Sequence, residues 1–275
     1  MTYFSAILLG LIQGIAEFLP ISSSGHLAIF QKFFKLSGDG SLFFDVLLHL
    51  GTLAAVIFAY RKDIGGLLRE FFRMIHLART PKGARPDVPA RRMILMLIVA
   101  TLPLILVLPV KDKVELLYNN TFFIGFALIV TGLLLFFSDR MNRGNKNDRN
   151  FTLTDALIVG AAQAVAVVPG LSRSGTTISA GLSRGFERDF AVKFSFLLSI
   201  PAVLGANILS LAGAIRAGVD SAMVPKYLVG VLVAMVSGYA AIRFLRYIAA
   251  KGRFGGFAYY CWGAGAVTLI LSLIS

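Results

Sequence analysis

Two short polar segments, each enclosed by apolar sequence, carry the residues of this chain that could do chemistry. The first runs from Gln13 to His26 and reads QGIAEFLPISSSGH, and the second runs from Pro169 to Thr177 and reads PGLSRSGTT. A charged side chain at bilayer depth is costly, so it usually faces a functional cavity. Together the carboxylate, imidazole, guanidinium and hydroxyl groups indicate a phosphate-handling site inside a membrane protein.

The second segment has the chemistry of an anion clamp. Arg173 is always ionised and offers a planar fork of donors that suits phosphate oxygens. A helix that begins near Ser174 would point its free N–H groups and positive dipole end into the same space. We therefore expect the phosphate-binding groups to come from Arg173 and from the hydroxyls of Ser22, Ser24, Ser172, Ser174 and Thr177.

The first segment adds groups of a different kind. Gln13 and Glu17 are four residues apart and share one face of a helix. A buried Glu17 needs compensation, which Arg173 or a bound cation could supply. Ser23 and His26 would be neighbours in a helix, an arrangement that suits activation of a nucleophile. His26 could equally be the nucleophile or a general acid, and the sequence leaves these roles open.

Two structural alternatives accompany these roles. The polar groups of the two segments could form a network that only holds them together. Asp45 and His49 are also four residues apart, and they could orient His26 or form a purely structural pair. The sequence does not separate these interpretations.

The elements that position the site follow from an unusually apolar composition. Of the 275 residues, 57% are hydrophobic and only 15% are charged, whereas a soluble domain is nearer half apolar and a quarter charged. The apolar residues form runs long enough, or nearly so, to cross a bilayer. These six runs are 42–60, 93–110, 122–138, 190–211, 226–247 and 255–274.

Two further apolar segments, 2–19 and 153–168, each end at a proline and a Ser/Gly cluster. Proline disfavours helical geometry in the residue before it, so the helices should stop near Leu19 and Val168. Ser22 and Ser172 are the expected N-caps of short returning helices, about 24–35 and 174–183. Each unit predicts a re-entrant hairpin, which membranes tolerate where the break is buried or lines a cavity.

The chain also repeats itself at a constant offset of 150 residues. Matches at glutamine, serine and glycine positions in one register are hard to obtain by chance. The matching pairs are Gly10 with Gly160, Gln13 with Gln163, Ser22 with Ser172, Ser24 with Ser174, Gly25 with Gly175, Phe44 with Phe194, Leu47 with Leu197 and Leu48 with Leu198. We expect one membrane domain, 1–275, with repeat one over about 1–138 (hairpin 2–35) and repeat two over about 151–275 (hairpin 153–183).

The net charge of +13 is best explained by cytoplasmic anchors beside membrane spans, and no nucleic-acid partner is expected. Basic residues cluster in segments 61–92, 139–150, 184–188 and 243–253, which places these segments in the cytoplasm and both termini outside. The hairpins then enter from opposite sides, and their breaks meet near the midplane. The expected fold class is an all-α integral membrane protein with two inverted-topology repeats, six transmembrane helices and two re-entrant helical hairpins.

The two polar segments resemble those of the undecaprenyl-diphosphate phosphatase family, also called bacitracin-resistance proteins. Gln13 and Glu17 match the family pattern (Glu/Gln)-x-x-x-Glu, Ser22 to His26 match Ser-Ser-(Ser/Thr)-Gly-His, and Pro169 to Thr177 match Pro-Gly-x-Ser-Arg-Ser-x-x-Thr. The resemblance covers essentially the whole chain. It implies a multi-pass enzyme of the bacterial cell (inner) membrane that hydrolyses undecaprenyl diphosphate to the monophosphate carrier and inorganic phosphate.

The resemblance also implies a divalent cation, Mg²⁺ or Ca²⁺, with Glu17 and Gln13 as its candidate ligands. Some family members have glutamate where this chain has Gln13, so one carboxylate is missing here. The catalytic residues that we expect are Glu17, Ser23, His26 and Arg173, with Ser23 attacking and His26 assisting. The cleft should open to the extracytoplasmic side.

Two other functions share features with this sequence. Inverted repeats with broken helices are typical of secondary transporters, so a polyprenyl-phosphate transporter or flippase is the main alternative. The type-2 phosphatidic acid phosphatases share Ser-Gly-His and Ser-Arg, but they need a second histidine that segment 174–179 lacks. The sequence leaves the oligomeric state open, a homodimer included.

Overall fold

A computed structural model describes residues 1–33, 41–75, 86–141, 144–216, 221–252 and 254–274. The predicted end of the first hairpin at 34–35 lies outside the described residues, as do several of the basic residues that were used to predict orientation. The latter are Lys35, Arg79, Lys82, Arg85, Arg143 and Arg253.

The described residues are helical throughout, apart from turns and one isolated bridge between Lys146 and Phe186. The first half of the chain contains α1 Tyr3–Phe18, α2 Ser23–Phe33, α3 Ser41–Ala59, α4 Arg61–Met74, α5 Val88–Thr101, α6 Lys111–Leu116 and α7 Thr121–Asp139. The second half contains α8 Leu153–Val165, α9 Arg173–Ser183, α10 Arg188–Arg216, α11 Val224–Lys251 and α12 Gly255–Ile274. Short 3-10 helices cover Leu102–Val110, Leu117–Asn119 and Ser221–Met223.

Five helical stretches of the described chain are long and apolar enough to cross a membrane, and a sixth is added if α3 and α4 count as one bent span. The angle between α3 and α4 is 85°. The five are Val88–Asn119, Thr121–Asp139, Arg188–Ser210, Ser221–Lys251 and Gly255–Ile274. The chain is therefore a multi-pass membrane protein, and α1 and α8 are shorter apolar helices, as the sequence predicted.

The first break lies between α1 and α2 and follows from Pro20. Leu19, the C-cap of α1, has an extended backbone with ψ 143°, which is the geometry that a following proline favours. Ser22 then adopts a left-handed backbone with φ 71°. Its Oγ accepts the Gly25 N–H at 3.2 Å, so Ser22 caps α2 as predicted.

The second break lies between α8 and α9 and ends in a regular N-cap. α8 stops at Val165, three residues before the predicted Val168, because the chain turns through Ala166 to Val168 before it reaches Pro169. Ser172 is confirmed as the N-cap of α9 and accepts the Gly175 N–H at 3.1 Å. Its own N–H donates to Thr131 Oγ1 of α7 at 3.1 Å, which anchors the turn to a spanning helix.

Ion pairs connect α8 and α9 at the ends of these helices that lie away from the polar break. The fully buried Asp155 in the first turn of α8 accepts from Lys146 at 2.8 Å and from Arg184, just beyond α9, at 2.9 Å. A Thr152–Asp155 capping box begins α8 at the same place. α8 and α9 are thus held together at one end, and the polar break connects them at the other.

Candidate active site

A cleft of about 950 Å³ opens where the two breaks meet. Its polar wall contains Glu17, Ser23 and Ser24 of the first break and Ser172 and Arg173 of the second. The two breaks touch each other directly: a Cβ built on Gly25 would lie 3.2 Å from Gly170 Cα, and one on Gly175 would lie 3.3 Å from Pro20 Cβ. Residues about 150 positions apart in the sequence therefore form one site.

Glu17 is the centre of the hydrogen-bond network. Its Oε2 accepts from Ser23 Oγ at 2.6 Å and from Gln13 Nε2 at 3.1 Å. Its Oε1 accepts from Arg173 Nη2 at 2.6 Å, and the side chains of Glu17 and Arg173 are only 8% and 17% exposed. The structure thus brings together three of the four predicted catalytic residues, and Arg173 supplies the counter-charge that the buried Glu17 requires.

Positive electrostatic features converge on the same wall of the cleft. α2 begins at Ser23 and α9 begins at Arg173, so the positive dipole ends of both helices lie beside the cleft. Arg173 Nη1 is buried and, within the described chain, has no hydrogen-bond partner. Among the described residues, Nη1 therefore retains a free donor beside two helix N-termini. Such an arrangement is suited to binding a phosphate oxygen.

His26, the fourth predicted catalytic residue, faces away from the cleft. Its Nδ1 donates to Ser22 O at 2.8 Å, and its Nε2 is hydrogen-bonded to Tyr260 Oη of α12 at 2.8 Å. His26 is 7% exposed, and both ring nitrogens are hydrogen-bonded. The described cleft wall contains Ser23 and Ser24 but not His26, and the Ser23 hydroxyl is hydrogen-bonded to Glu17 instead.

The predicted phosphate-binding hydroxyls fall into two groups. Ser24 and Ser172 line the cleft. The hydroxyl of Ser174 donates across the contact of the two breaks to Leu19 O at 3.3 Å, and Thr177 Oγ1 is 2.6 Å from Ser195 Oγ of α10. Ser22 is buried as a cap. Ser174 and Thr177 therefore hold α9 in place from behind the cleft wall.

Asp45 and His49 line the cleft but do not pair through their side chains as the i,i+4 spacing suggested. His49 Nδ1 donates to the backbone oxygen of Asp45 at 2.8 Å, while the Asp45 carboxylate accepts from Gln31 Nε2 at 3.0 Å. His49 Nε2 lies 4.0 Å from Glu17 Oε2. The structure thus places this histidine beside Glu17 and not beside His26.

The candidate metal ligands fit a cation only in part. Gln13 Oε1 is buried and has no hydrogen-bond partner among the residues described. The nitrogen of the same amide, Nε2, donates to Glu17 Oε2. The described residues contain no group of three or more His, Cys, Asp or Glu side chains that could hold a metal. Two oxygen donors suffice for Mg²⁺ only when water and substrate phosphates complete its shell.

Two residues that contact the breaks were not found by sequence reasoning. Thr131 of α7 bonds to the backbone of both Gly170 and Ser172, and Tyr260 of α12 bonds to His26. Both belong to ordinary apolar helices, and each lies many positions from the segment that it contacts. Pattern and spacing within the segments carry no information about such partners.

Comparison with known proteins identifies close relatives over the full length. The family described as bacitracin resistance protein BacA matches residues 6–267. An undecaprenyl-diphosphatase of Alkaliphilus metalliredigens is 43% identical over 275 residues and covers 100% of both chains. The undecaprenyl-diphosphatase of Carboxydothermus hydrogenoformans is 41% identical over 98% of both chains, and that of Methanobrevibacter smithii is 41% identical over 99% of both.

Proposed function

The chain belongs to the BacA family of bacitracin resistance proteins and is a membrane undecaprenyl-diphosphate phosphatase, and we propose that the Glu17–Arg173 cleft is its active site. The enzyme hydrolyses undecaprenyl diphosphate to undecaprenyl phosphate and inorganic phosphate, which recycles the lipid carrier for cell-wall synthesis. The observation that carries the site assignment is the network in which Ser23 and Arg173, from different hairpins, both bond to Glu17 at 2.6 Å.

The proposed reaction has two steps. Ser23 Oγ attacks the terminal phosphorus and gives its proton to Glu17, while the bond to the bridging oxygen breaks and undecaprenyl phosphate leaves with that electron pair. The oxygen of a water molecule then attacks the phosphorus of the phosphorylated Ser23. The bond from phosphorus to Ser23 Oγ breaks, Glu17 returns the proton to Ser23, and the protons of the water leave with inorganic phosphate.

In this scheme Arg173 and the two helix N-termini provide most of the electrostatic stabilisation of the transferred phosphoryl group. Phosphoryl transfer depends chiefly on positioning and on stabilisation of charge on the transferred oxygens. Arg173 Nη1 is a buried donor without a partner in the described chain, and Nη2 is held by Glu17. Since Ser23 Oγ and Arg173 Nη2 bond to the same carboxylate, the guanidinium lies beside the proposed nucleophile.

The cleft also has a wall for the prenyl chain. Leu104, Val114, Leu171, Ala202 and Val203 are among the residues that line it and form its apolar part. An amphipathic substrate fits such a site, because its diphosphate contacts the polar wall while its prenyl chain extends past the apolar wall into lipid. We expect the polar wall to require a diphosphate and the apolar wall to accept a range of prenyl lengths.

We propose Mg²⁺ or Ca²⁺ as a cofactor held by Gln13 Oε1, Glu17 and the substrate diphosphate. The supporting observation is the buried amide oxygen of Gln13, which has no hydrogen-bond partner in the described chain and belongs to the side chain whose Nε2 donates to Glu17. Such a cation would neutralise charge on the phosphate oxygens. Arg173 already neutralises Glu17, so the chain alone offers a weak site and the diphosphate is needed to complete it.

The proposed architecture is a pair of inverted-topology repeats, about 1–138 and 151–275, each starting with a re-entrant hairpin. Three observations support it. α9 starts and ends 150 positions after α2, the two breaks touch each other reciprocally through Gly25–Gly170 and Gly175–Pro20, and α1 packs on α11 as α8 packs on α5. Lys32 and Lys111 line the cleft, and both lie outside the basic segments that the charge asymmetry assigns to the cytoplasm. We therefore propose an extracytoplasmic opening in the cell membrane.

Phosphate release from undecaprenyl diphosphate by the purified protein in detergent micelles tests the function. We expect steady turnover, its loss with EDTA, and recovery when Mg²⁺ or Ca²⁺ is added back. Detergent micelles have no gradient and no second compartment, so a transporter without hydrolytic activity releases nothing in this assay. Folded protein that releases no phosphate under any metal condition would contradict the phosphatase, and unchanged turnover in EDTA would contradict only the cation.

A further inference from the structure

His26 and Tyr260 form a contact behind the first break that the proposed reaction does not use. The Ser22 carbonyl accepts two donors from one residue, the His26 backbone N–H at 3.2 Å and Nδ1 at 2.8 Å. The carbonyl can only accept, so Nδ1 must carry the proton. In the neutral ring Nε2 then accepts from Tyr260 Oη at 2.8 Å, and the two rings are nearly parallel, at 12°.

The backbone that receives these bonds is strained. Ser22 has φ 71°, the one left-handed value among the non-glycine residues described. Such a conformation is unfavourable for a residue that has a Cβ, and it persists only where the surroundings enforce it. Ser23 follows directly, so the direction of its side chain depends on this geometry, and in this arrangement its hydroxyl donates to Glu17 Oε2 at 2.6 Å.

The second break serves as an internal comparison. Ser172, which matches Ser22 in the repeat, has an ordinary extended backbone with φ −76° and ψ 116°. The position that matches His26 holds Thr176, whose backbone N–H bonds to Ser172 O at 2.8 Å. The imidazole therefore occurs at the break with the strained serine and is replaced by threonine at the break without strain.

We propose that His26 is a positioning residue, which uses Nδ1–H to hold Ser22 in its left-handed conformation and so aims Ser23 at Glu17. Tyr260 is its partner, because a hydroxyl that donates to Nε2 keeps the proton on Nδ1. This inference rests on the proposed role of Ser23. It differs from the interpretation of His26 as nucleophile or general acid, since each of those roles needs a ring nitrogen that faces the substrate.

Isosteric substitutions separate positioning from chemistry. In His26→Asn the amide nitrogen lies as many bonds from Cβ as Nδ1 and can still donate to Ser22 O, but the side chain can neither attack phosphorus nor transfer a proton as imidazole does. His26→Gln moves the amide nitrogen to the Nε2 position, and His26→Ala removes it. Tyr260→Phe removes the hydroxyl and keeps the ring.

We expect His26→Asn to keep kcat for undecaprenyl diphosphate within about tenfold of wild type. His26→Gln and His26→Ala should lower kcat about 10²-fold with little change in KM, because a small misplacement of a reacting group costs about that much. Tyr260→Phe should also lower kcat, but by a smaller factor than His26→Gln and His26→Ala. Equal losses in His26→Asn and His26→Gln, with melting temperatures like that of wild type, would overturn the proposal, as would full activity in His26→Gln.

A second measurement uses wild-type protein, so it depends neither on the folding of a variant nor on turnover. In wild-type protein labelled with ¹⁵N-histidine, the signal of His26 should show a neutral ring protonated at Nδ1. A ring protonated at Nε2 would overturn the proposal even if His26→Asn fails to fold. Wild-type phosphate release in the same preparation reports separately on the proposed function.

Discussion

Replacing Arg173 by alanine is expected to lower kcat for undecaprenyl diphosphate about 10³- to 10⁵-fold, the range found for arginines that stabilise transferred phosphoryl groups. The change removes the proposed phosphate donor and also the counter-charge of Glu17, which bonds to Arg173 at 2.6 Å. Arg173→Lys restores the charge without the planar fork, so we expect an intermediate loss. Phosphate release in detergent under saturating substrate measures both variants.

Arg188→Ala is the matched control for this prediction. Arg188 is also a mostly buried arginine with a carboxylate partner, Asp139, at 3.1 Å, and its side chain is 14% exposed. It begins α10 and is not among the residues that line the cleft. Its loss should change stability and leave kcat within about threefold. Activity of Arg173→Ala within tenfold of wild type would contradict the phosphate-clamp role.

Removal of the Ser23 hydroxyl should have an effect of similar size. Ser23→Ala deletes the proposed nucleophile, and we expect kcat to fall about 10³-fold or more. Substrate labelled in its terminal phosphate should transfer the label to wild-type protein on rapid quenching in acid. Phosphoserine survives acid and phosphohistidine does not, so an acid-stable adduct at Ser23 is the expected product.

The adduct experiment also decides between the two nucleophiles that the sequence left open. An acid-labile adduct at His26, or turnover of Ser23→Ala near the wild-type rate, would contradict attack by Ser23. The geometry favours Ser23 because its hydroxyl already donates to a carboxylate at 2.6 Å, whereas both nitrogens of His26 have other partners. Ser24→Ala is the control for the position of the adduct, because Ser24 is adjacent and also lines the cleft but is not the proposed nucleophile.

Helix ends and the location of the breaks could be predicted because they depend on local chemistry. Pro20 acts on Leu19, and the Ser172 side chain caps α9 within three residues. The early end of α8 could not be predicted in the same way, since a proline limits where a helix can extend but does not require the helix to reach it. The meeting of Glu17 and Arg173 was anticipated from the cost of a buried charge.

The role of His26 depends on information that the sequence pattern does not contain. A spacing of three residues suggested that Ser23 and His26 would interact, because that spacing places side chains close together in a regular helix. Here the chain reaches α2 through a left-handed Ser22, and the imidazole turns back to that carbonyl and to Tyr260, 234 positions away. Likewise, Glu17 lies near His49 through packing of α1 and α3 that spacing alone does not reveal.

The central claim, that one active site is assembled across two hairpins, is tested most directly by a double-mutant cycle between Glu17 and Arg173. We would measure kcat/KM for undecaprenyl diphosphate with wild type, Glu17→Gln, Arg173→Lys and the double variant. Residues that act as a unit are strongly non-additive, so the double variant should be little slower than the slower single variant, a coupling of about 2 kcal/mol or more. Losses that simply multiply would show that the two residues act independently, and this would contradict a shared site.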